Sequence, residues 1–451
     1  MRYQKMYRLI LLFVAAQLLV AVMLDDPVSI LHGLWKIITM QDILITDYVS
    51  IAGPGAALVN SALVTLSSLV ILYLCKDPLN GFTIALIGLM SGFSMFGKNI
   101  ANIWPIILGS WTYARMRGEP FVKYVNVGLM ATALSPLVSY MALGSRNAHP
   151  LSGLLMGVII GYVLPSLSAY TYKVQNGMNL YNMGFACGML AMIIVPILSA
   201  MGDAPQKVMY WAEGYNTTFA VILTILCTIF IFSGLFLCER PAWAAWAGYR
   251  RLLQTTGRAS SDYLRMFGAA PVLINMGVNG LVATGYILLT QGDLNGATLG
   301  GIFTIIGFSA FGKHVLNIVP IMVGVSLGGT FLHYDINAPA LQLAGLFGTT
   351  LAPVAGVFGW PYGVLAGFLH SAVVLQAGAV HMGVNLYNNG FSGGLVAIVL
   401  YPTITAIARQ RNPELQKRDL FRIFANDAPQ KTELDHPDLP NKEPGPPKEF
   451  I

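Results

Sequence analysis

Charge is scarce in this chain. Of 451 residues only 10% are Asp, Glu, Lys or Arg while 55% are hydrophobic, against about 25% charged in an ordinary soluble domain. That deficit excludes a water-soluble fold and makes the lipid bilayer the solvent. Acidic residues are nearly absent from the long apolar runs, which weakens any case for sodium or proton coupling through a carboxylate. The four cysteines, Cys75, Cys187, Cys227 and Cys238, show no CxxC spacing, and they imply no metal and no cofactor. No HExxH motif and no acidic pair lies within the runs, so an enzyme is not expected. A net charge of +6 comes without a basic stripe or aromatic platform, which argues against a nucleic-acid partner.

What the chain does contain is itself, twice. GFSMFGKNIANIWPIILG, from Gly92 to Gly109, returns as GFSAFGKHVLNIVPIMVG, from Gly307 to Gly324, with 11 of 18 positions identical. The match runs back to Gly53 and Gly268 at a constant offset of 215. A second pair, NLYNMGF from Asn179 and NLYNNGF from Asn385, follows at offset 206. A duplication of half the chain, Gly-rich and apolar, predicts a membrane protein built from two halves around a shared site.

Fourteen apolar runs between residues 8 and 408 predict an all-α polytopic membrane protein with about 12–14 transmembrane or re-entrant helices in two inverted repeats. The runs at 79–97 and 294–312 are short enough to dip in and return. Residues 1–50 read as an N-terminal span and an interfacial segment, 51–238 as the first membrane repeat and 239–267 as a cytoplasmic amphipathic linker. Residues 268–408 form the second repeat, and 409–451 a disordered cytoplasmic tail. With every run crossing, 22 of the 26 Lys and Arg fall on the side of both termini, which makes that side cytoplasmic. The expected location is the bacterial inner membrane.

The chemistry concentrates in the repeated blocks. Lys98 and Lys313 each follow a string of glycines that allows a helix to break, and a new helix start would place amide dipoles beside each ammonium. Asn102 and Asn317 fall four residues on, read as the same helical face. Two symmetry-related sites for an anion or a carbonyl-rich solute follow; the alternative is that both lysines snorkel to an interface. Asn80 and Asn295 serve either as helix caps or as ligand contacts, and Asn60 and Asn275 either line a polar path or hold half-helices together. Asn179 and Asn182, three apart, are read on one face, as are Asn385 and Asn388. The expected solute path is Lys98, Asn102, Lys313 and Asn317, supported by Asn80, Asn295, Asn182 and Asn388.

DPLNGFTIALIGL, from Asp77 to Leu89, and LYNMGFACG, from Leu180 to Gly188, resemble signatures of the urea transporters, with degenerate copies GDLNGATLGGI and LYNNGFSGG in the second half. That resemblance implies inverted repeats, trimers and a channel-like route for a small polar solute, although the lysine after GFSMFG is foreign to it. As a whole the chain resembles an uncharacterised bacterial family of integral membrane proteins. The expected function is transport of a small polar solute, with an anion favoured by the lysines; a urea- or amide-type channel is the alternative, ahead of a membrane-embedded enzyme or a scaffold. Expected partners are the lipid bilayer, a small-molecule or ion solute, and further copies of the chain in a trimer or dimer.

Overall fold

A computed structural model describes residues 2–238 and 241–411; the expected tail lies outside the described residues from position 412 onward. Regular structure among those residues is helical, apart from three isolated backbone bridges. A first unit runs α1 (Arg2–Leu24), α2 (Pro27–Thr39), α3 (Tyr48–Ala52), α4 (Pro54–Leu74), α5 (Gly81–Phe93), α6 (Trp104–Met116), α7 (Val125–Ala131), α8 (Ser135–Ser139), α9 (Pro150–Val174) and α10 (Asn182–Ala200). The second repeats it as α11 (Asn216–Phe232), α12 (Ala242–Leu252), α13 (Tyr263–Phe267), α14 (Ala269–Leu289), α15 (Gly296–Phe308), α16 (Val315–Phe331), α17 (Pro339–Phe347), α18 (Ala352–Phe358), α19 (Trp360–Val380) and α20 (Asn388–Arg411). Among the described residues ten segments are long and apolar enough to cross a bilayer, five in each unit. The chain is a multi-pass integral membrane protein.

This succession redraws the expected boundaries. The segment 215–238 and the linker 239–267 occupy, as α11 to α13, the places that α1 to α3 hold in the first unit. The repeat therefore begins near the N-terminus rather than at Gly53. Residue identity does not reveal this because lipid-facing positions accept any apolar side chain: α11 exposes Val221, Ile225 and Ile229. Helix α12 is amphipathic as its sequence predicts, burying Ala245, Gly248, Tyr249 and Leu252 while Trp243 and Trp246 stay exposed.

Helices α5 and α15 have 13 residues each, about 20 Å of helix against a hydrocarbon core of about 30 Å. Each starts at an asparagine cap reciprocated by threonine, Asn80 with Thr83 and Asn295 with Thr298. They pack antiparallel at the centre of the molecule. A side-chain carbon at Gly88 would lie 2.7 Å from the Phe303 carbonyl oxygen and 2.8 Å from the Gly307 Cα, and one at Gly92 would collide with the Gly300 carbonyl. Only glycine lets these backbones touch.

That contact is testable. Gly92→Val should lower stability by about 1–3 kcal/mol or more, the cost of forcing bulk into a filled interior, read as a lower melting temperature in detergent. Gly285→Val, at a helical position with open space around it and no left-handed backbone, controls for valine content alone.

Candidate functional site

The two half-helices end in matching breaks. Gly97 and Gly312 take φ of 82° and 91°, the left-handed region that glycine enters freely, and the next residue folds back so that Lys98 N donates to Phe93 O and Lys313 N to Phe308 O, both at 3.1 Å. The carbonyls freed by the break need donors, because lipid and packed side chains offer none. Asn60 Nδ2 donates to the Ser94 and Lys98 carbonyls at 2.7 and 2.8 Å. Asn275 Nδ2 does the same for Ser309 and Lys313 at 2.8 and 2.7 Å. These asparagines hold the half-helices.

Asn102 and Asn317 serve the same breaks. Asn102 Oδ1 accepts from Asn99 N and Asn317 Oδ1 from His314 N, each at 2.9 Å, and their amide groups donate back to Gly97 O and Gly312 O at 3.3 and 2.9 Å. The expected common helical face with the lysines is not formed. Helix α6 begins only at Trp104 and α16 at Val315, so Lys98 and Lys313 lie in the breaks, ahead of any helical periodicity.

Both lysines are fully buried, so neither snorkels to an interface. Lys98 Nζ donates to Tyr387 Oη at 3.0 Å and contacts Met90 Sδ at 3.4 Å. The nitrogen stands 5.1 Å from the Tyr387 ring centre and 5.6 Å from that of Phe93. Lys313 Nζ donates to Tyr181 Oη and, at 2.6 Å, to Thr349 Oγ1; it stands 4.4 Å from the Tyr181 ring centre and 5.4 Å from that of Phe308. The partners are exchanged: the first unit's lysine meets the tyrosine of the second unit's NLYN, and the second unit's lysine meets that of the first. Among the described residues the ion pairs are Lys123 with Glu119 and Arg265 with Asp262, both partly exposed. Neither buried amine has a carboxylate at ion-pair distance; hydroxyls and aromatic faces provide the negative partial charge.

Two cavities flank these breaks. The larger, about 390 Å³, is lined by Asn80, Tyr172, Asn179, Asn182, Asp262 and Phe311 among others. The smaller, about 180 Å³, has Phe96, Lys207, His381, Asn385, Asn388 and Asn389 in its wall. Phe96 and Phe311, Asn385 and Asn179, and Asn388 and Asn182 are repeat counterparts, so the cavities are equivalent places in the two units. A slot of about 10 Å³, with room for about one water, is walled by Phe93, Tyr181, Phe347, Leu386 and Tyr387; it shares Phe347, Leu386 and Asn389 with the smaller cavity, and its Tyr181 sits between Leu180 and Asn182 of the larger cavity's wall. The tyrosines that close the slot are the ones that hold the lysines.

The remaining expected residues divide. Asn80 caps α5 and faces the larger cavity, whereas Asn295 caps α15, is fully buried and donates to Ala212 O at 3.1 Å. Asn182 and Asn388 face one cavity each; Asn182 Nδ2 donates to Ser168 O at 3.1 Å and Asn388 Oδ1 pairs with His381 Nδ1 at 3.1 Å. Asn179 and Asn385 do not share a helical face with them, because α10 and α20 begin at Asn182 and Asn388. Asn179 instead crosses to the other unit, donating to Gly390 O at 2.9 Å. No group of three or more His, Cys, Asp or Glu able to hold a metal ion occurs among the described residues.

Five side chains escaped the sequence reading. Tyr181 and Tyr387 stood in the NLYN repeat, which drew notice for its asparagines. Asp47 and Asp262 also recur at offset 215, each followed by tyrosine. Asp47 Oδ1 accepts from Gly296 N at 3.1 Å and Asp262 Oδ1 from Gly81 N at 3.0 Å, so each unit caps the other's half-helix. Asp42, by contrast, has no acidic counterpart. Buried, it accepts from Tyr48 Oη, Asn99 Nδ2, Asn102 Nδ2 and Ser139 Oγ at 2.7, 3.0, 2.9 and 2.8 Å; the second unit has Gly257 at that position.

A protein-family model described as "Protein of unknown function (DUF1576)" matches residues 26–200 and 243–406, and the chain belongs to that family. No curated protein and no solved structure matches it.

The crossed caps give a measurable expectation. Asp262→Ala should cost about 1–2 kcal/mol, the usual loss of a helix N-cap, while Asp262→Asn, which keeps the accepting oxygen, should retain most of it. Thermal unfolding of the two variants in one detergent separates them.

Proposed function

We propose that this DUF1576 protein is a membrane transport protein that moves a small polar solute, preferentially an anion, along the interface between its two units. The observation that carries the reading is the pair of buried lysines, lacking carboxylate partners, beside a narrow aromatic slot that separates two repeat-related cavities. Ammonium groups placed there would stabilise negative charge after a solute has shed its water, while the hydroxyl and ring partners keep them positioned when the site is empty. Binding that is mild and repeated favours passage over retention.

The antiparallel packing of α5 on α15 and five crossings per unit support an inverted repeat, since an odd count reverses the second unit. Ten crossings return both termini to one side, and the positive-inside rule assigns that side to the cytoplasm. The larger cavity, with Arg265 in its wall, then opens inward and the smaller one outward. Passage through the slot requires Tyr181, Tyr387 and their phenylalanine neighbours to move, which makes these rings the gate. The aromatic walls also favour a second reading, a channel for flat neutral amides.

Flux into proteoliposomes decides between them. In Lys98→Gln combined with Lys313→Gln, uptake of formate and other small anions should fall at least about tenfold, the loss of one or more charge-assisted hydrogen bonds. Unchanged anion flux would return the lysines to a structural role, and urea flux that survives the double substitution would move the assignment to the neutral-amide channel.

A further inference from the structure

The two cavities are equivalent by position but not by chemistry. In the larger, the charges of Arg265 and Asp262 pair at 3.3 Å, and Asn179 spends its amide on the Gly390 carbonyl. In the smaller, Lys207 forms no ion pair among the described residues, and no acidic side chain lines the wall. Asn385 is fully buried there; its Oδ1 accepts from Tyr387 N at 3.1 Å, but its Nδ2 has no partner. A buried donor without an acceptor forfeits its hydration with nothing in return, so this amide is poised for an acceptor that the protein does not supply.

Space for that acceptor is built in. Tyr172 in the wall of the larger cavity corresponds to Gly378 in the smaller, at the repeat offset of 206. A carbon attached to Gly378 would lie 3.6 Å from Asn388 Nδ2 and 3.9 Å from Lys207 Nζ. The missing side chain thus leaves a niche with an ammonium and an amide on its rim. Several N–H donors around one small space suit an acceptor with more than one oxygen. At about 180 Å³, against about 30 Å³ per water, the cavity admits an anion of a few heavy atoms.

We infer that the smaller cavity is a capture site for a small oxyanion, bound by Lys207 and Asn385 beside Gly378. It deepens the transport reading, on which its role as the entry point rests. The two cavities then differ in affinity, and the difference gives the route a preferred loading side.

Isothermal titration of the detergent-purified full chain with formate, phosphate and chloride tests the site directly. Wild type should bind formate or phosphate in preference to chloride. Lys207→Met should weaken that binding about tenfold, the worth of a charge-assisted hydrogen bond, and Lys207→Arg should restore most of it. Gly378→Val should abolish it by filling the niche while leaving both donors and the melting temperature in place. Wild type that binds neither oxyanion, or Lys207→Met and Gly378→Val variants that bind as wild type does, would overturn the site. Oxyanion binding in a protein that shows no flux would uphold the site and sink the transport reading; unaltered flux in both variants would uphold transport and overturn the smaller cavity as its entry point.

Discussion

Two helices stop partway through an apolar interior, and the rest of the structure answers to that fact. A broken helix leaves backbone carbonyls and amides that neither lipid nor aliphatic side chains can satisfy. Here the debt is settled by a small set of repeated polar residues: Asn60 and Asn275 on the freed carbonyls, Asn102 and Asn317 folded back across the left-handed glycines, and Asp47 and Asp262 at the far ends. Once those groups are held, the breaks become rigid places where a side chain can be presented to the centre. Lys98 and Lys313 occupy them.

The units are tied together by exchange rather than by simple contact. Aspartate caps, lysine–tyrosine pairs and the amide of Asn179 all reach from one unit into the other. Each half-helix takes one cap from the other unit, and each lysine takes a tyrosine hydroxyl from it. This reciprocity places the tyrosines at the slot between the cavities, so whatever moves the rings also alters what the ammonium groups touch. The lysine contacts, the slot wall and the inter-unit contact share the same residues.

Equivalence stops short of identity. Buried Asp42 with its four donors belongs to the first unit alone, and the second has Gly257 there, with the His314 ring meeting the Thr255 carbonyl at 2.9 Å. Lys207 and Gly378 distinguish the smaller cavity in the same way. The repeat builds two equivalent cavities, and these substitutions make their linings unequal.

Much of this was legible in the residues. Low charge predicts a bilayer protein, the positions of the apolar runs predict where the long and short apolar helices fall, and the GFSxFGK block predicts the breaks and their lysines, because helix periodicity, glycine freedom and backbone satisfaction are local effects. Asn80 and Asn295 are caps for reasons contained within four residues of chain. What periodicity could not supply was direction at the break: Asn102 was read on the lysine's face only by assuming helix where none forms. Nor could it start the repeat at α1, since lipid-facing positions retain hydrophobicity without identity. The partners of Lys98 and Lys313 lie 289 and 132 residues away, in motifs that the sequence marks as repeated but not as mutual. By itself the sequence determined the class of protein, its crossings and the polar residues that recur. Tertiary structure alone decided which of them meet, because the crossing of two units, set by glycine contacts between α5 and α15, is a long-range packing event that no local pattern encodes.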